Sequence, residues 1–277
     1  MSTKQTLGFF THALKSFTSS QDAFRVLCTV PRSASSPSNS PTASLSPRHP
    51  SHPVTTLIIL DSSFNPPTKA HAQMASSAIT HAGPNARLML LLAVNNADKA
   101  AVPASFAQRL AMMEGFARDL HDSAGQNTEI DVAVTTMPFF HEKARVVAES
   151  GVYGSAEQVF LCGFDTLIRI FNAKYYGGGM KEALGPFFGR ARVRVVMRPD
   201  DEWGGRDEQV KYVEGLEGML GDVGGEEWAR RVEMVDGVEG VVSSSMVRAL
   251  VRRDGDVDAL VGGEVRAWIE GEGLYRE

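Results

Sequence analysis

Asp61-Ser62-Ser63-Phe64-Asn65-Pro66-Pro67-Thr68-Lys69-Ala70-His71 follows directly on Leu57-Ile58-Ile59-Leu60. The apolar run is short, partly β-branched and not amphipathic, the pattern of a strand buried in a parallel sheet. A turn rich in Ser, Asn and Pro comes next, and 70–82 reads as a helix. Where a parallel strand passes through a tight polar turn into a helix, free backbone N–H groups and the helix dipole favour an anion. His71 falls on the first turn of that helix, facing the same anion.

Outward from this stretch the pattern continues as βαβα. Strands are expected at 56–60, 87–94, 130–135, 158–162, 193–197 and 232–235. Helices are expected near 70–82, 105–120, 141–149, 165–172, 207–220, 243–253 and 256–270. On the second helix Phe106, Leu110, Met113 and Ala117 share one face and are expected to bury against the sheet. The fold class is therefore α/β: a Rossmann-like parallel sheet flanked by helices, one domain over 54–277, with its site at the strand C-terminal ends.

Ahead of it, Phe10, Ala13, Leu14 and Phe17 recur at helical spacing, and Phe24, Val26, Cys28 and Val30 alternate as on a strand. Residues 1–30 thus form a helix-and-strand extension. Residues 31–53 are rich in Ser and Pro with few bulky apolar side chains. Such a stretch does not offset its ordering entropy by burial, so it reads as disordered. The Gly-rich pieces at 177–179 and 204–205 read as loops.

The 277 residues suit one large α/β domain, and 43% hydrophobic residues suffice for its core. A net charge of −5 argues against a general nucleic-acid binder but not against a nucleotide site, which needs only local positive groups. No apolar run approaches the ~18 residues of a membrane span. Cys28 and Cys162 lack metal-ligand spacing and, with no secretory signal in the sequence, read as reduced and buried; the expected location is intracellular, in cytoplasm, nucleus or both.

Three further stretches bear on chemistry. Ser243-Ser244-Ser245-Met246-Val247-Arg248 opens a helix. Serines there serve as N-caps, and the same hydroxyls, helix N–H groups and guanidinium are the parts that hold a polyphosphate. Gly163-Phe164-Asp165 stands at a strand end, where glycine allows close backbone approach and the acid either accepts from ribose hydroxyls or caps the next helix. Lys99 and Arg109 flank a loop and helix start where phosphate contact and a solvated surface role both fit.

Ser63-Phe64-Asn65-Pro66, Thr68 and His71 resemble the Gly-x-Phe-(Asp/Asn)-Pro-x-(His/Thr)-x-x-His signature of the adenylyl- and cytidylyl-transferring nucleotidyltransferases, with Ser62 in place of the usual Gly. Ser243–Arg248 resembles their Ser-Ser-Thr-x-(Ile/Val)-Arg, Gly163-Phe164-Asp165 their Gly-x-Asp, and Arg109-Leu110-Ala111-Met112 their Arg-Leu-x-Met. Taken together the motifs look most like the nicotinamide mononucleotide adenylyltransferases, in a divergent fungal-type branch. The family's pyridine segment, Trp-x-x-Thr before Val-Leu, corresponds to Phe140, Lys143 and Val146-Val147; the Trp and the Thr are missing. A second aromatic is expected at Tyr175 or Tyr176. His81, His121 and His141 read as surface residues.

The resemblance implies direct attack of a mononucleotide 5′-phosphate on the α-phosphorus of ATP, with Mg²⁺ among the phosphate oxygens and pyrophosphate leaving. His71 and Thr68 are implied as phosphate donors, and Ser244, Ser245 and Arg248 as the pyrophosphate clamp. Ser63, Phe64, Asn65, Gly163 and Asp165 are implied around ATP, and Phe140, Lys99 and Arg109 around the acceptor. The lost Trp leaves other readings open: another phosphate-ester acceptor, ATP hydrolysis, or a non-catalytic nucleotide-binding partner protein.

Overall fold

The computed structural model describes residues 2–31, 45–94, 103–124, 128–197, 203–237 and 242–276. The strands are β1 (Phe24–Val30), β2 (Thr56–Asp61), β3 (Ala86–Ala93), β4 (Ile130–Thr135), β5 (Glu157–Gly163), β6 (Ala191–Val196) and β7 (Val232–Val235). The helices are α1 (Thr3–Thr18), α2 (Lys69–Ala82), α3 (Phe106–Ala124), α4 (Phe140–Glu149), α5 (Phe164–Ile170), α6 (Met180–Phe188), α7 (Arg206–Glu214), α8 (Leu216–Leu220), α9 (Glu226–Ala229), α10 (Ser244–Val251) and α11 (Gly263–Gly271).

These strands form one sheet in the order β1-β4-β3-β2-β5-β6-β7, parallel throughout except for β1 against β4. From β2 the chain winds outward to β3 and β4, then returns to start the other half at β5. The strand order therefore reverses between β2 and β5, and a crevice opens at their C-terminal ends. Leu57, Ile58, Ile59 and Leu60 are all fully buried or nearly so, because helices cover both faces. One layer packs α1, α2, α3, α10 and α11 on the sheet; the other packs α4, α5, α6, α8 and α9.

Residues 2–30 join this sheet and its helical layer. Ser2 and Gln5 close a capping box at the start of α1, whose Phe10 and Phe17 enter the core. The alternation of β1 is broken by a register shift between Val26 and Cys28. Phe24 and Val26 consequently pack with one layer, and Cys28 and Val30 with the other. Of the stretch expected to be disordered, 32–44 lies outside the described residues, and 45–53 departs from the expectation. There Leu45 is buried, Ser46 O accepts from Thr29 N–H, and Arg48 O accepts from Arg87. Leu45 is the bulky apolar residue that ties this polar run to the sheet.

Three details differ from the sequence pattern. The helix expected at 207–220 is two, α7 and α8, meeting at Gly215. The last helix is shorter than expected and begins at Gly263. A helix not expected, α6, carries Pro186 within it and buries Leu184, Phe187 and Phe188. On α3 the buried surface extends well beyond one stripe, to Ala111, Met112 and Phe116, since α1 and α11 cover its outer side; Phe106 is only half-buried. Among the described residues no helix is long and apolar enough to cross a membrane.

Candidate active site

A cleft of about 680 Å³ opens at the topological switch point, within the size range of small-molecule sites. Its walls come from the ends of β2, β5 and β6, the starts of α2, α4, α5 and α10, and the segment after β7.

The β2–α2 turn is built around Phe64. Its φ of 45° lies in the left-handed region, a costly conformation for a bulky residue. Complete burial of its ring, 5.6 Å from the His71 ring and 6.5 Å from that of Phe116, holds it there. Thr68 then caps α2, and His71 occupies the third helical position. The His71 ring reaches back as a capping-box glutamate does: Nδ1 lies 3.1 Å from Thr68 N and 2.8 Å from Thr68 Oγ1.

That contact fixes the tautomer. A backbone N–H only donates, so Nδ1 is an acceptor and the proton sits on Nε2. Nε2–H points to Ser62 Oγ, 3.0 Å away, at the cleft wall. Burial lowers the His71 pKa to about 4, so the ring stays neutral and Nε2 remains a donor across the physiological range. Thr68 is almost wholly buried and its hydroxyl faces His71. In this geometry it positions the histidine, and Thr68 also lines the cleft where the sequence places a phosphate contact.

The depressed pKa carries a stability consequence. Between the ordinary histidine value of 6.5 and about 4, the unfolded chain binds a proton that the folded chain does not. Stability is full above that window and falls as pH drops through it. The expected share from His71 between pH 7 and pH 4.5 is at most about 2 kcal/mol. Urea midpoints at the two pH values should shift less for His71→Gln than for the parent chain; identical shifts would remove His71 as the cause.

The serine motif reaches the same turn from the far end of the chain. Ser243 Oγ accepts from Met246 N and caps α10. Ser244 Oγ donates to Pro66 O at 2.7 Å, and Arg248 donates to Asn65 O at 2.7 Å and to Ser245 Oγ at 3.1 Å. Asn65 is buried, and its Oδ1 accepts from Tyr275 OH at 2.9 Å. Ser243 and Ser244 line the cleft; Ser63, Ser245 and Arg248 stand outside its wall, with Ser63 and Ser245 exposed. Gly163 and Asp165 line the opposite side. A side chain at Gly163 would meet Asp165 Oδ1 at 2.9 Å, so the absent Cβ leaves the carboxylate its place.

Of the described residues expected at the acceptor, Phe140 lies in the cleft wall and Arg109 does not. The Phe140 ring also packs on Phe160 at 4.9 Å, so it serves both the cleft and the core. Lys99 lies outside the described residues. Arg109 is placed elsewhere: largely buried, it donates through Nε to Ala104 O and stands over the Phe106 ring. Burial lowers its pKa, Tyr275 opposes that, and Arg248 adds to it. Tyr175 and Tyr176 border a separate groove of about 490 Å³ together with Phe139 and His141. His141 is no bare surface residue, since it stacks on Phe139 and lies 5.5 Å from the Tyr176 ring.

Sequence reasoning gave no role to Asp61 or Ser62, although both were in view. Asp61 ends β2 at the switch point and forms an ion pair with Lys143 Nζ at 2.5 Å, both side chains nine-tenths buried or more. Burial raises the Asp61 pKa, and the Lys143 ammonium opposes the rise. The strand-end position was the available signal. The partner, on α4, stood in the stretch that resembles the family's pyridine segment, but nothing there pointed to Asp61. Among the described residues, no three His, Cys, Asp or Glu side chains gather as a metal site.

The cytidylyltransferase-like family model matches residues 59–203. The chain is 36% identical over 179 residues to a Schizosaccharomyces pombe protein named "Putative nicotinamide mononucleotide adenylyltransferase", covering 64% of this chain and 67% of that one. It also resembles solved structures of the Plasmodium falciparum nicotinic acid mononucleotide adenylyltransferase, complexed with APC and with NaAD. Each has a TM-score of 0.53 at 14% identity, over 80% of this chain and 97% of the other. That likeness supports the fold, and Ser244 and Arg248 lie beyond the matched family segment yet close on its turn. The chain belongs to the cytidylyltransferase-like family.

Proposed function

We propose that the chain is an adenylyltransferase that joins the AMP part of ATP to nicotinamide mononucleotide, giving NAD and pyrophosphate. The observation that carries this reading is the convergence of the two motifs. Ser244 and Arg248 bind the carbonyls of Pro66 and Asn65, so the starts of α2 and α10 converge on one cleft. Two helix N-termini with a neutral histidine donor between them suit a polyphosphate.

The mononucleotide phosphate supplies the nucleophile, and no side chain need form a covalent intermediate. The chain contributes position and charge stabilisation. In this reading Nε2–H of His71 turns from Ser62 to a phosphate oxygen of ATP, while Thr68 keeps the ring in its tautomer. The α10 N-terminus, with Ser243 and Ser244 on the cleft wall, receives the leaving pyrophosphate, Arg248 holds the facing turn through Asn65 O, and Asp165 accepts from the ribose of ATP. Mg²⁺ enters as the Mg·ATP substrate, held by phosphate oxygens.

Direct transfer is reversible. Incubation with NAD, Mg²⁺ and pyrophosphate should therefore yield ATP and nicotinamide mononucleotide. Failure to form ATP from NAD, with ATP consumed to orthophosphate in the forward direction, would contradict the proposal.

A further inference from the structure

We propose that Asp61, held by Lys143, makes the site select a pyridine mononucleotide bearing a carboxamide over one bearing a carboxylate. This rests on the adenylyl-transfer reading above. Asp61 Oδ2 accepts from Lys143 Nζ, and Asp61 is among the residues that line the cleft, whereas Lys143 is not. Oδ1 of Asp61 has no hydrogen-bond partner among the described residues. The Phe140 ring completes the arrangement: it borders the cleft, and the Lys143 ammonium lies 5.6 Å from its centre. The ion pair therefore turns its negative end toward the ligand, beside an aromatic face.

The other charged groups in the cleft wall do not reverse this sign. Asp165 lies 3.7 Å from the exposed Arg169, and Arg206 is engaged by Asp236 at 2.6 Å. A pyridinium ring with a carboxamide offers Asp61 a positive charge and N–H donors. A pyridinium carboxylate offers no donor and sets a second carboxylate against the first. A polar site built for one hydrogen-bonding pattern rejects the ligand that leaves it unpaired, whereas a purely apolar pocket discriminates weakly. The ammonium of Lys143 opposes the rise in pKa that burial imposes on the carboxyl and holds Oδ2 in place.

The test compares kcat/KM for nicotinamide and nicotinate mononucleotides at saturating Mg·ATP. It uses the full chain, Asp61→Asn, and the paired Asp61→Leu/Lys143→Met variant, which leaves no unpaired buried charge. The parent chain is expected to favour the amide. Asp61→Asn should reduce that preference by at least about tenfold, chiefly by improving the carboxylate substrate, and the paired variant should bring the ratio near one. A merely structural role would lower both substrates together and leave the ratio unchanged. An unchanged ratio in both variants, or a parent chain that favours the carboxylate, overturns the role of Asp61 while leaving the transferase intact. If neither variant folds, a parent chain that favours the carboxylate still overturns the proposal, and Asp61→Glu, which keeps the acid, is expected to keep the amide preference. Absence of dinucleotide from either acceptor with the parent chain overturns the transferase reading, and this one with it.

Discussion

His71→Ala lowers turnover by about 100-fold or more, while the chain stays folded and still binds ATP. The magnitude is that of losing one preorganised donor to a transition state. The geometry makes the loss specific to Nε2. Thr68 satisfies Nδ1 from the backbone, so the ring cannot offer its other nitrogen as a donor without breaking that contact. Burial keeps the ring neutral down to a pKa of about 4, so protonation of the histidine should not shape the activity profile above pH 5. Thr68→Val removes the hydroxyl contact to Nδ1 and keeps the backbone one, so it should loosen the ring without changing its tautomer and give a smaller fall in turnover than the alanine at 71. Steady-state rates with the melting midpoint of each variant decide the point. Near-parental turnover by purified His71→Ala would remove the histidine from the site.

Asp131→Ala destabilises the fold by about 3–5 kcal/mol, the cost of leaving a buried charge without its partner. Asp131 is fully buried and accepts from Arg87 at 2.7 and 2.8 Å, from Thr29 at 2.6 Å and from Tyr153 at 2.6 Å. Arg87 is nearly as buried and also binds Glu129 and the carbonyl of Arg48. The network ties β1, β3, β4 and residues 45–53 together near the N-terminal ends of β3 and β4, the end of the sheet opposite the cleft. Its loss should therefore lower the urea midpoint and leave the kcat of the folded fraction unchanged. The paired Arg87→Met/Asp131→Leu variant should regain much of the stability, since replacing a whole buried ion pair by apolar residues is often neutral. A single variant as stable as the parent would show that the network contributes little.

The contrast between these two regions explains what the sequence disclosed. Runs such as 57–60 and 88–92 are continuous and buried, so the parallel sheet was legible from local pattern. The β2–α2 turn and the start of α10 were legible as a strand–turn–helix and a serine N-cap, because those depend on residues adjacent in sequence. Pairings across long separations were not. Asp61 and Lys143 are 82 residues apart, and Asp131 and Thr29 are 102 apart. Nothing local announces that an acid at a strand end will meet a lysine on a helix two strands later. Arg109 is a different case. Its motif marked it for the acceptor, but the helix turns its guanidinium toward Ala104 and the side of Arg248 and Tyr275. The flip of faces along β1 depends on one bulge, which an alternating pattern cannot register.

The most direct measurement incubates the chain with Mg·ATP, with and without nicotinamide mononucleotide, and follows NAD, pyrophosphate and orthophosphate together. The account predicts NAD and pyrophosphate in equal amounts, only when the mononucleotide is present, and no orthophosphate. Orthophosphate released without acceptor, and no NAD with it, would contradict the account and make the cleft a site of ATP hydrolysis.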